Sequence, residues 1–166
     1  MELSQLETAQ GMVAVPVVEV ARLLLECPAF LSRIKAANAA EAVKRVHLFD
    51  LEEEPETLKG MRPFAAIWPK QLSADGNFLR CKGSVALILS DHERYPNDRN
   101  RSALDFATFV GEVFDWLRTM SGVSDRLPIR QIVQAEDGPH RNPPQDDASA
   151  GSYWWTQFLV HWDQDA

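Results

Sequence analysis

The chain has 166 residues, 45% of them hydrophobic and 25% charged, proportions that fit one globular domain able to bury a core without metal or disulfide support and that exclude global disorder. Its 17 Lys and Arg against 24 Asp and Glu give a formal charge of -7, which opposes nonspecific attraction to a phosphate backbone. Cys27 and Cys81 lack CxxC spacing and read as reduced, buried thiols of a cytoplasmic fold. The first residues lack a basic and then apolar leader, and no apolar run reaches the ~18 residues that cross a bilayer, so neither export nor membrane insertion is expected.

In chain order, residues 1–14 are polar and small and are expected to be flexible. Pro16 suits a first helical turn, and Val17, Val20, Ala21, Leu24 and Leu25 recur at helical spacing, predicting a helix over 16–36 bent at Pro28. Beyond the bend, Phe30, Leu31 and Ile34 continue the apolar face while Ser32, Arg33 and Lys35 look outward. Alternation over 43–51 predicts a first strand, followed by the acidic loop Glu52, Glu53, Glu54, Pro55, Glu56. A short proline-bounded strand spans 63–69, Asp75 and Gly76 form a hairpin turn, and 78–89 is a long strand with Gly83 marking a bulge. Residues 43–90 together read as an antiparallel meander.

A helix is predicted over 103–121, with Ser102 as N-cap and Gly122 as its stop. Its polar stripe, Asp105, Thr108, Glu112, Asp115 and Thr119, is narrow, so the helix should be packed on more than one side. A strand over 127–135 precedes a long mobile loop at 136–151 and a final strand from Tyr153 to Trp162. Even positions of that strand, Trp154, Thr156, Phe158, Val160 and Trp162, want a core. Odd positions, Tyr153, Trp155, Gln157, Leu159 and His161, are too apolar for a wet face and require a second layer or a partner. The fold class is α+β, a mostly antiparallel sheet of four to five strands within a single domain.

No catalytic, cofactor or metal motif emerges. Asp91, His92 and Glu93 are the densest ionisable group, yet neighbours on an extended chain point in different directions, and a solvated strand end leading into the polar loop 95–101 is the simpler reading. His47, His140 and His161 are scattered, Ser84 lacks a nucleophile elbow, Cys81 lacks a base, and no glycine-rich phosphate loop occurs. Trp154 and Trp155 lack the basic groove that base stacking would need.

The order helix from Val17, strand to Leu51, strand 63–69, strand from Leu79 to Ser90, helix 103–121, strand 127–135 and strand 153–162 resembles the tail terminator, or tail-completion, proteins of long-tailed bacteriophages and prophages. The resemblance covers most of the chain and rests on element order, not on a motif. It implies two helices packed on one face of the sheet and a ring, typically a hexamer, at the head-proximal end of the tail tube. Such a ring stops tube polymerisation, docks to the head connector and lets DNA pass without specific binding. It implies assembly in the bacterial host cytoplasm and residence in the virion tail.

Loops 52–62, 91–101 and 136–151 would face the tube and connector. Exposed-apolar logic alone selects Trp116, Tyr153, Trp155 and Leu159 as candidate subunit contacts. A rival is another neck or head–tail joining component. From a different class, a small ligand-binding or enzymatic domain would use Asp91, His92 and His140 beside the 136–151 loop.

Overall fold

A computed structural model describes residues 2–48, 61–74, 80–121, 129–134, 139–142 and 151–165. The first helices are α1 (Leu3–Leu6), α2 (Gly11–Leu25), α3 (Pro28–Ile34) and α4 (Ala39–Ala42), with a 3-10 turn at Val43–Arg45. Then follow β1 (Val46–His47), β2 (Phe64–Ala74), β3 (Arg80–His92), α5 (Arg99–Met120), β4 (Ile129–Gln134), β5 (His140–Asn142) and β6 (Tyr153–Asp165). The chain is α+β with a mostly antiparallel mixed sheet of six strands, one more than the largest number expected. The order is β1-β2-β3-β6-β4, and β5 also pairs with β6. No helix among the described residues is long and apolar enough to cross a membrane.

The first long helix begins at Gly11, whose φ of +82° is a conformation that favours glycine, and not at Pro16, which lies inside it. The expected bend at Pro28 is a break. Pro28 opens α3 and forces Cys27 into extended backbone, because a residue before proline is disfavoured in the helical region. Within residues 1–14, α1 is docked by Leu6, which is buried.

The strand expected over 43–51 shrinks to Val46–His47 and runs parallel to β2, so 43–90 is not an antiparallel meander. Val43 and Val46 are both buried three positions apart, a spacing that a 3-10 turn satisfies and that alternation cannot. Phe49 to Leu51, the acidic stretch 52–60, the Asp75–Gly76 turn and Gly122 lie outside the described residues.

Strands β2 and β3 are longer than expected, reaching Ala74 and His92. The irregularity expected at Gly83 sits on the neighbouring strand, between Pro69 and Gln71. Gly83 is demanded by close approach instead: a Cβ there would lie 2.3 Å from the Gln71 carbonyl oxygen and 2.7 Å from the Trp162 ring. Within the segment expected to be a mobile loop, His140–Asn142 form β5, alongside β6 on the same side as β4, while residues 136–138 and 143–150 lie outside the described residues.

Even positions of β6 enter the main core as expected. Phe106 and Phe114 of α5 pack on Trp154 and Phe158, with ring centroids 6.0 and 5.6 Å apart. The same core holds Val20 and Leu24 of α2 and Ile67, Leu87 and Leu89 of the sheet. Burial of side chains such as Phe30, Phe106 and Phe158 contributes roughly 1.5–3 kcal/mol each.

Helix α5 starts four residues earlier than its expected first residue, Ala103. Asp98, not Ser102, caps it by accepting the Arg101 N–H at 3.0 Å. Ser102 is buried within the first turns, where its hydroxyl engages both the Tyr95 N–H and the Tyr95 carbonyl at 3.0 Å. The helix packs on the sheet and beside α2 and α3, yet Leu104, Ala107 and Gly111 on its outer side stay exposed.

Candidate functional site

The register of β3 against β6 divides the sheet's side chains into two sets. Opposite the α5 side lies a back face to which the odd positions of β6 belong. Phe64, Ala66 and Ile88 form a separate buried cluster there, drawn from strands alone among the described residues.

At one end of this face, Tyr153 and Trp155 are tied into their own chain. The Arg62 guanidinium carbon lies 3.7 Å from the Tyr153 ring centroid, and Arg62 Nε donates to Ser90 Oγ at 2.9 Å. Trp155 stacks on His140 at 4.9 Å. Its indole N–H donates to Asn142 Oδ1 at 3.3 Å, and the Asn142 amide donates to the Tyr153 hydroxyl at 2.6 Å. These contacts follow from register, since β5 sets His140 opposite Trp155 and Asn142 opposite Tyr153. Both aromatic side chains are half-buried.

Midway along, Trp68, Ala86, Leu159 and Val133 form one cross-strand row. Trp68 is 38% exposed, while Leu159 and Val133 are half-buried. This is the apolar part of the face with least cover. Trp116 is elsewhere: it packs against the main core beside α2, its indole N–H donating to the Leu23 carbonyl at 2.8 Å.

At the far end, Arg80, Lys82, Arg130 and His161 line an open concavity of about 920 Å³. Asp163 is held between Arg80 Nε at 2.6 Å and Arg130 Nε at 2.9 Å. The cations cluster here although the chain as a whole carries -7.

Asp91 is not part of a solvated strand end. It is 2% exposed and its Oδ2 accepts from Arg33 Nε at 2.5 Å and from Arg94 Nε at 3.1 Å. Arg33 also reaches Asp105 at 2.6 Å and lies over the Phe109 ring. Arg33, expected to look outward, is buried. Burial disfavours its charge, but the hydrogen bonds to Asp105 and Asp91 outweigh that and hold its pKa above the ordinary arginine value. Glu93 is held by Arg141 through two contacts of 3.0 and 2.9 Å, which lowers its pKa below the usual carboxylate range.

His92 and His140 lie on the back face, whereas Asp91 points to the helical side, so the three polar groups of a pocket-based reading are not brought together. Burial lowers the pKa of His92 and of His47. Cys27 is a buried thiol whose pKa burial raises, which makes it a poor nucleophile. Among the described residues, no three His, Cys, Asp or Glu side chains gather so as to hold a metal ion.

No protein-family model matches this chain, and no curated protein matches its sequence. The sequence pattern passes over Arg33, Asp105, Arg94, Arg62 and Trp68 as parts of organised sites. For Arg33 the only available signal was a guanidinium within two positions of the apolar Phe30–Ile34 face, because its partners stand 58 and 72 residues away.

Proposed function

We propose that this chain is a structural assembly protein that performs no bond-making chemistry and acts in the manner of the tail terminators it resembles. In this reading, copies form a ring on the head-proximal end of a phage tail tube, stop its growth and present a surface to the head connector. The observation that carries the reading is the second face of the sheet. Its middle row leaves Trp68 38% exposed beside Leu159 and Val133, in a face whose buried cluster recruits no helix among the described residues. Apolar surface of that kind on a charged, water-soluble composition is characteristic of a contact surface.

The ionisable side chains of the Ser90–Arg94 stretch support the same direction. Asp91 and Glu93 are engaged by arginines and serve packing.

The test is tube growth. Purified tube protein polymerised with increasing amounts of this chain should give tubes of shorter, saturating length with density at one end by electron microscopy. Tubes of unchanged length and bare ends would overturn the reading.

A further inference from the structure

Resting on the self-assembly reading above, we infer that a second copy of this chain docks the outer stripe of its α5 on the sheet's back face, making a head-to-tail contact. On α5, Leu104, Thr108, Gly111 and Asp115 recur at spacings of four, three and four, which aligns them on one side of the helix. All four are exposed, and Leu104 stands out at 70%. The stripe therefore presents one apolar knob, a shallow middle and an acidic end flanked by the exposed Glu112. Arg118 tempers that end only loosely, at 3.4 Å from Asp115 with both side chains 69% exposed.

The back face has the complementary layout. Trp68 and Leu159 offer an apolar landing row, and Lys82 and Arg130 offer positive charge further along the same strands. The spacings agree. Leu104 and Asp115 are about 16 Å apart at the helical rise, and Ala86, in the apolar row, is about 14 Å from Lys82 at the strand rise. Lys82 is exposed, and the Arg130 side chain, 59% exposed, reaches Asp163 through Nε at 2.9 Å.

Docking by the sheet edges is disfavoured. On one side the outermost strand is the two-residue β1, beyond which β2 carries Lys70 at a register shift next to Pro69, and on the other side β4 carries Arg130 at a second shift. Basic residues and bulges on open edges resist strand addition. Face-on-face contact remains. Because α5 packs on the opposite side of the sheet from the back face, each copy carries both halves of the contact, and the interface is heterologous, the type that gives a ring when its rotation closes.

Sedimentation velocity of the full chain over a concentration series tests this directly. Wild type should form oligomers, while Leu104→Asp, at a position already in water, should leave the melting temperature unchanged and weaken association by about a hundredfold. Lys82→Glu and Asp115→Lys should each weaken it about tenfold, and the two combined in one chain should recover most of the loss. Wild-type oligomers insensitive to Leu104→Asp, or charge reversals that fail to rescue one another, would overturn the inference and leave self-assembly standing. Wild type that stays monomeric throughout would overturn it too. A Lys82-dependent complex with short duplex DNA, indifferent to Leu104→Asp, would assign the cationic end to another partner and likewise overturn it. Failure of the chain to cap tubes is a separate result, and it would remove the assembly reading itself.

Discussion

Arg33 and Asp91 are 58 residues apart in sequence, yet Arg33 Nε sits 2.5 Å from Asp91 Oδ2, with side chains 8% and 2% exposed. This pair joins α3 to the end of β3, and Asp105 joins α5 to the same guanidinium. It fixes how the helical layer sits on the strand end.

Truncating one partner should therefore be severe. Asp91→Ala leaves the Arg33 charge buried with one carboxylate fewer and should cost about 3–5 kcal/mol in denaturant unfolding. Replacing both partners with apolar side chains, Arg33→Met with Asp91→Leu, should cost clearly less than Asp91→Ala alone. A larger loss in the double variant would show that the ion pair is a net source of stability.

Two backbone positions should respond in opposite directions. Gly83→Ala drives a methyl against the Gln71 carbonyl and the Trp162 ring, and should destabilise by about 1–3 kcal/mol or more. Lys35 ends α3 in the left-handed region at φ 57°, so Lys35→Gly should stabilise by about 1 kcal/mol. Thermal melts of both variants check the pair.

Stability should fall in mild acid. The folded pKa values of His92 and His47 are depressed by burial, so the unfolded chain takes up protons that the folded chain refuses once the pH drops below about 6.5. Their contribution is complete above that pH and is lost as the pH falls toward the lower folded values. His92→Gln should flatten part of this slope in melting temperature. Glu93 adds a second fall at lower pH: the stability from its Arg141 partner is present above about 4.3 and is lost as the pH drops through its depressed folded value.

At the start of α5, two polar residues have separable roles. Asp98→Ala removes the cap on Arg101 N–H and should cost about 1 kcal/mol. Ser102→Ala strips a buried partner from both backbone groups of Tyr95 and should cost about 1–3 kcal/mol. Equal and negligible losses would mean that water replaces both side chains.

Element type was legible where one face of an element is buried and the period is unbroken. The alternation of β6 predicted Trp154, Thr156, Phe158, Val160 and Trp162 in the core, and all five are buried. The strand character of β3 and the body of α5 could be read for the same reason. The start of α5 was misplaced because caps depend on which side chain meets the first N–H groups: Ser102 had the right chemistry, but packing consumed it. The strand at Val43 was misread because four residues reading apolar, polar, polar, apolar fit a tight turn as well as part of a strand.

For the candidate site, sequence marked Tyr153, Trp155 and Leu159 as lying on a face too apolar for water, but could not distinguish them from one another. Pairing with β5 ties the first two to His140 and Asn142, leaving Leu159 in the row with Trp68. Sequence by itself thus determined the α+β class and the two faces of the closing strand, since hydrophobic period is a local property of the chain. Only tertiary structure decided that Asp91 is a buried anchor, that Trp68 is an exposed apolar side chain, and that cations from β3 and β4 meet at one end of the sheet. Those facts depend on strand order and register, which unite residues far apart in the chain and are set by the free energy of the whole fold.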